Sequence, residues 1–371
     1  MLNSDGYIMS TPDGIICSIA GKSISKKEYS FFNQTNPLGF ILFSRNYVNK
    51  KQIIDLISDL KNLTLNKSLF IFIDQEGGRV QRLKSSGFTN FPEQSLFGKI
   101  YKKNKVMSKK LSYFNAYLLA NELKDVGVDV NFSPVCDLYF NYANNIIGDR
   151  SFSSDPLIVK DLVKEYCKGF RDSGILPVLK HFPGHGRSLV DTHLEPSEVN
   201  VNIDILRKND FIPFENLKTE SLMMLAHIVY PKIDKEVATY SKKINKIIRE
   251  ELFFKGLILT DDISMKALND NFTMIIKKSY IAGCDVILHC SGKLGEIKNL
   301  YEHTKKIKKK YYDYFINDIL SWFQPLLSET VISLTYATGV GFDATLKGAT
   351  TLVKASPEEV CKEDPAKSSS K

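Results

Sequence analysis

The sequence predicts an α/β chain folded as a (β/α)8 barrel, a single domain with a C-terminal appendage. Three observations predict it. Eight short apolar runs recur along most of the chain. Stretches with helical spacing separate several of them. Polar and titratable residues follow the C-terminal ends of the runs, the ends that converge on one rim of such a barrel. A doubly wound open sheet is the alternative, and the number of runs favours the barrel. With 371 residues and 43% hydrophobic content, the chain can bury a core of that size.

The runs come in order. The first two are Ile15–Ala20 and Gly39–Phe43. Ile53, Leu56, Ile57 and Leu60 then mark a helix before the third run, Leu69–Ile73. Leu111, Phe114, Leu118, Leu119 and Leu123 mark the next helix before Val128–Phe132. Leu162, Val163, Tyr166, Cys167 and Phe170 mark a helix before Ile175–Leu179. Leu222–Ala226 is the sixth run, and Ile244, Ile247, Ile248 and Leu252 mark a helix after it. Leu257–Leu259 and Asp285–Leu288 complete the set. The runs lack strict alternation, as strands buried on both faces do. A last helix is expected over 311–327. The barrel is assigned to residues 1–330. Residues 331–371 turn to Ala, Thr, Gly, Val and Ser, and are expected to be a tail outside the barrel, disordered from Ser356 onward.

Composition narrows the function. The net charge of +8 comes from lysines spread over the whole sequence, so it does not point to nucleic acid. The run Lys305–Lys310 reads as a solvated helix face. Cys17, Cys136, Cys167, Cys284, Cys290 and Cys361 form no C-x-x-C pair. Core thiols in a reducing compartment are expected. No secretory signal pattern and no apolar run of about 18 to 20 residues is visible, so a cytoplasmic chain that does not span a membrane is expected. A monomer is expected, with no cofactor and no metal.

Lys180-His181-Phe182-Pro183-Gly184-His185-Gly186, followed by Asp191-Thr192-His193, ends the fifth run. A packing segment has no use for so many titratable groups. Asp191 can orient His193 as a general acid/base. Zinc on His181, His185, Asp191 and His193 is disfavoured, because Pro183 and Gly184 interrupt the helix that an H-x-x-x-H site needs. Thr260-Asp261-Asp262 ends the seventh run. Adjacent carboxylates at a strand end point in different directions. One can face the barrel mouth as a nucleophile while the other caps the next helix. Asp74–Arg82 supplies a carboxylate, a Gly-Gly turn and two arginines, suited either to sugar hydroxyls or to an internal ion pair. In Gly148–Phe152, Arg150 reads as a ligand contact held by Asp149, or as a structural pair with it. His227 reads as a satisfied core or rim histidine.

These motifs together resemble family 3 glycoside hydrolases, in the bacterial β-N-acetylhexosaminidase branch. Phe43–Asn46, Asp74–Arg82, Asn131–Pro134, Gly148–Phe152, Lys180–His193, Ala226-His227, Thr260–Met265 and Ala282–Asp285 fit that family's order, from about Thr11 to about Ser291. The resemblance implies a barrel fold and retaining cleavage of terminal N-acetylglucosamine from anhydro-muropeptides in peptidoglycan recycling. It implies Asp261 as nucleophile and His193 with Asp191 as acid/base. It places sugar contacts on Asp74, Arg82, Arg150, Lys180 and His181. The segment Thr260-Asp261-Asp262-Ile263-Ser264-Met265 departs conservatively from the family, where many relatives have Ser and Leu, and nothing after Val331 fits the family. A β-glucosidase of the wider family and a sugar-binding barrel without activity are the alternatives. A barrel aldolase with a Schiff base on Lys180 is a third.

Overall fold

A computed structural model describes residues 11–63, 69–84, 87–215, 217 and 220–321. Nine parallel segments form one sheet. They are β1 (Asp13–Cys17), β2 (Pro37–Leu42), β3 (Phe70–Ile73), β4 (Val130–Asn131), β5 (Leu176–Pro177), β6 (Leu179–Phe182), β7 (Leu222–Leu225), β8 (Leu257–Asp262) and β9 (Val286–Leu288). Their spatial order is β5-β4-β3-β2-β1-β9-β8-β7-β6. The segments at the two ends of that order, β5 and β6, are consecutive in the chain and separated only by Val178. They are therefore halves of one strand, and the sheet closes into an eight-stranded barrel. Pro177 cannot donate to a ladder, and the Val178 N–H turns to the Ser133 carbonyl at 3.0 Å. All eight expected runs fall on barrel strands.

Each strand is buried, and β2 is buried at every position. Gly39 sits where a Cβ would lie 2.0 Å from the Phe70 carbonyl oxygen, so the close β2–β3 approach requires glycine there. The helices include α1 (Lys26–Phe32), α2 (Lys50–Leu63), α3 (Gln94–Tyr101), α4 (Lys105–Asp125) and α5 (Pro156–Asp172). Asp155 caps α5 by accepting from the Leu157 and Ile158 N–H groups, with Pro156 in the first turn. Ser25 and Glu28 form a capping box at α1.

On α4, Leu119 and Leu123 face the core, while Leu111, Phe114 and Leu118 are exposed. The buried face is made by Ser108, Ser112, Ala116, Leu119, Ala120 and Leu123. It meets α5 so closely that a Cβ on Gly169 would lie 2.4 Å from the Tyr113 carbonyl oxygen. One expectation is corrected: in the lysine run, residues 305–308 are not helical, with Lys306 bridging to Asp13 beside β1, and only 309–310 are helical. Cys17, Cys136, Cys167 and Cys284 are buried free thiols, while Cys290 is partly accessible. Cys361 lies outside the described residues.

The chain divides into two compact units, Met1–Phe315 and Ile316–Lys371. Residues 309–315 are helical at the end of the first. Of the second, the described residues 316–321 are helical. The expected tail 331–371 lies outside the described residues. No helix among the described residues is long and apolar enough to cross a membrane.

Candidate active site

The C-terminal ends of the strands surround one cavity of about 640 Å3. All eight singled-out residues line it: Asp74, Arg82, Arg150, Lys180, His181, Asp191, His193 and Asp261. They come from four separate strand ends and their loops, so only closure of the barrel brings them together.

One wall is an ion network. Lys180 Nζ lies 2.6 Å from Glu76 Oε1 and 3.1 Å from Asp74 Oδ1. Arg82 Nη2 donates to Asp74 Oδ2 at 3.0 Å. Arg150 grips Glu76 with Nε and Nη2 at 2.8 and 2.9 Å. Two carboxylates thus face three cations, and the excess positive charge decides the titration. Burial alone would raise both acids. The Lys180 and Arg82 charges outweigh it and hold Asp74 well below the usual carboxylate range. Arg150 and Lys180 bring Glu76 down to about 2. Burial opposes the Lys180 charge, but Glu76 and Asp74 raise its pKa above the ordinary value. An ammonium held this way is no Schiff-base nucleophile, which argues against the aldolase reading. The Arg82 Nε is buried without a protein partner among the described residues, so this wall retains a donor.

The floor is built on Asp137. Its Oδ1 accepts from the His181 and His185 N–H groups at 3.2 and 2.6 Å. Its Oδ2 meets His181 Nδ1 at 2.7 Å. A carboxylate on Nδ1 assigns the proton to that nitrogen and leaves Nε2 toward Asp261, whose Oδ2 is 3.9 Å away. Asp261 itself, at 18% side-chain exposure, accepts from the Asp262 N–H at 2.8 Å. Burial pushes Asp261 up, but His181, His227, the Asp262 N–H and His193 outweigh it, and the net direction is down. Asp261 is therefore an anion at neutral pH. Asp262 also borders the cavity, but its carboxylate accepts from Ser264 and from the Cys290 N–H. It caps a local turn and not the next helix, Phe272–Ala282, whose cap is Asn271.

The rim carries the loop pair. His193 Nδ1 meets Asp191 Oδ1 at 2.8 Å, and the His193 N–H donates to the same oxygen at 2.9 Å. The ring is 61% exposed. Between the two, Thr192 is buried, and its Oγ1 meets His185 Nε2 at 2.9 Å. The loop is thus fixed at Thr192 while the His193 ring stays open to solvent.

Two important groups received no individual role from the sequence. Glu76 and Asp137 organise the wall and the floor. Asp74 and Glu76 are two apart at a strand end, a spacing that puts both on one face, and that signal was available. Asp137 follows the fourth run, a strand-end position that was legible, but its histidine partners leave no local signal. The expected Asp149–Arg150 pairing is also corrected: Arg150 is held by Glu76, while Asp149 pairs with Arg79 at 2.7 Å. His227 is buried, bonded to Thr239 Oγ1 and near the Asp262 carbonyl, as a satisfied histidine should be. Among the described residues no group of His, Cys, Asp or Glu side chains is arranged to hold a metal ion.

Residues 9–313 match the Glycosyl hydrolase family 3 N terminal domain. The chain belongs to glycoside hydrolase family 3. Relatives within this family agree. A protein of Hydrogenovibrio crunogenus named beta-hexosaminidase is 40% identical over 258 residues, covering 68% of this chain and 71% of that protein. One of Nitrosomonas eutropha with the same name is 36% identical over 282 residues, covering 75% and 80%. Among solved structures, NagZ from Neisseria gonorrhoeae in complex with N-trifluoroacetyl-D-glucosamine superposes with a TM-score of 0.76. It is 29% identical, covering 85% of this chain and 94% of that one. The chain is accordingly a glycoside hydrolase, and its barrel is the family 3 N-terminal barrel.

Proposed function

We propose that this family 3 hydrolase is a retaining exo-β-N-acetylglucosaminidase acting on peptidoglycan fragments. The observation that carries the reading is the pairing of an ionised, partly buried Asp261 with an open Asp191–His193 pair over one cavity. The relatives named beta-hexosaminidase and the sugar complex of the Neisseria protein support the substrate class.

In this reading Asp261 attacks the anomeric carbon and forms a glycosyl-enzyme. His193 donates a proton to the departing oxygen, and Asp191 holds the ring by Nδ1. Water then enters, His193 takes its proton, and the sugar leaves with its β configuration kept. A histidine suits the acid role because a second carboxylate would bring another anion beside Asp261. Asp74, Arg82, Arg150, Lys180 and His181 bind the sugar's hydroxyls and amide. The fragments are anhydro-muropeptides of cell-wall recycling, handled in the cytoplasm by a monomer that needs no metal, cofactor, membrane or nucleic acid.

The test compares an aryl N-acetyl-β-glucosaminide with the matching aryl β-glucoside. The wild type is expected to cleave only the first. Asp261→Ala is expected to lose at least about 10³-fold in kcat. Cleavage of the glucoside would move the assignment to the wider β-glucosidases. No cleavage of either, with sugar still bound, would make the barrel a binding protein.

A further inference from the structure

A second cavity, of about 480 Å3, lies between α3 and the segment 148–154. Ser95, Lys99, Lys102, Tyr139, Asn145 and Asp149 are among its walls. Asn145 lines the sugar cavity as well. The partition between the two is therefore the 145–149 segment, and Arg79 holds it in place. Arg79 Nη2 donates to the Asn145 and Ile146 carbonyls at 2.5 and 2.8 Å, and its Nε pairs with Asp149 at 2.7 Å. The second cavity is thus a fixed neighbour of the first, and its one carboxylate is already neutralised.

Its cations are not. Lys99 and Lys102 are exposed, and among the described residues neither has a carboxylate within ion-pair distance. The lysines just beyond them are different: Lys105 pairs with Asp161 at 2.8 Å and Lys109 with Glu165 at 3.1 Å. Ser95 Oγ is buried without a partner among the described residues. Two uncompensated ammonium groups and an unused hydroxyl beside a sugar site make a receptor for a carboxylate-bearing chain.

We propose that this cavity holds an acidic peptide substituent on the leaving sugar, with Lys99 and Lys102 as its counter-charges. The inference rests on the hexosaminidase reading of the first cavity and deepens it. Charge contacts that hold the peptide equally in the ground and transition states lower KM and leave kcat alone.

The experiment measures kcat and KM for three substrates: the aryl N-acetylglucosaminide, an N-acetylglucosamine disaccharide without peptide, and the same disaccharide carrying a tripeptide with two free carboxylates. Wild type is compared with Lys99→Ala/Lys102→Ala and Lys99→Arg/Lys102→Arg. The alanine pair is expected to raise KM about tenfold for the peptide-bearing substrate only, with kcat unchanged. The arginine pair should restore KM, and added salt should erase the difference. Equal wild-type KM with and without peptide would overturn the proposal, as would an alanine pair that shifts all three substrates together. Those results leave aryl cleavage intact. Failure of the wild type to cleave the aryl glycoside would instead remove the hexosaminidase reading, and this inference with it.

Discussion

His185 shows how one buried side chain can set both geometry and stability. Its imidazole reaches Thr192 between the two loop residues, and its Nδ1 has no partner among the described residues. Burial first, then the neighbouring His181, lower its pKa to about 4, so the folded protein keeps it neutral at pH 7. In the unfolded chain it takes up a proton near pH 6.5. Between those values the unfolded state binds more protons. The contribution is full above pH 6.5 and is lost as pH falls toward 4. His185→Gln can keep a hydrogen bond to Thr192 without titrating. Urea unfolding of this variant is expected to show a weaker loss of stability between pH 6.5 and 4, by up to roughly 3 kcal/mol relative to wild type. Identical pH slopes would contradict the buried neutral state. At this scale the sequence was legible where a motif concentrated chemistry, as in Lys180–His193 and Thr260–Asp262. It put Asp137 at a strand end but was silent on its partners, His181 and His185, which lie more than forty residues away.

Among the elements, α4 and α5 teach the most. The spacing of Leu111, Phe114 and Leu118 is helical, and the helix is there, but these three residues are exposed. Serines and alanines occupy most of the buried face because α5 approaches too closely for larger side chains. A hydrophobicity pattern rewards apolar residues and overlooks small ones, so it found the element and left its inner side unread. Gly169 on α5 marks the contact: a methyl group added there would stand within 2.4 to 3.0 Å of Tyr113 O, Ala116 Cβ and Tyr117 N. Two of those atoms are backbone and cannot swing away. Alanine gains at most about 1 kcal/mol of helix propensity over glycine. Overpacking costs about 1 to 3 kcal/mol. Gly169→Ala is therefore expected to destabilise the protein, read as a lower midpoint in urea with unchanged slope. A higher midpoint would mean the helices separate more easily than the contact suggests.

For the whole molecule, the family match ends at residue 313 and the first compact unit at Phe315. A chain ending at Ser321 is expected to fold and to retain the aryl hexosaminidase turnover of the full chain, because every cavity-lining residue precedes that point. Loss of turnover with folding intact would assign the remaining residues a part in the reaction. The sequence by itself determined the barrel, since eight buried runs with polar C-terminal ends leave few other ways to bury the runs and gather the ends. It also determined the chemistry-bearing loops, because Pro, Gly and titratable residues cluster where a packing segment would not have them. Tertiary structure alone decided how the barrel closes, through a strand split at Val178. It alone decided which charges meet. Glu76 bridges Lys180 and Arg150, both far along the chain from it, and Asp137 lies under two histidines. Such contacts depend on where distant strand ends converge, and an electrostatic partner leaves no periodic trace in a linear chain.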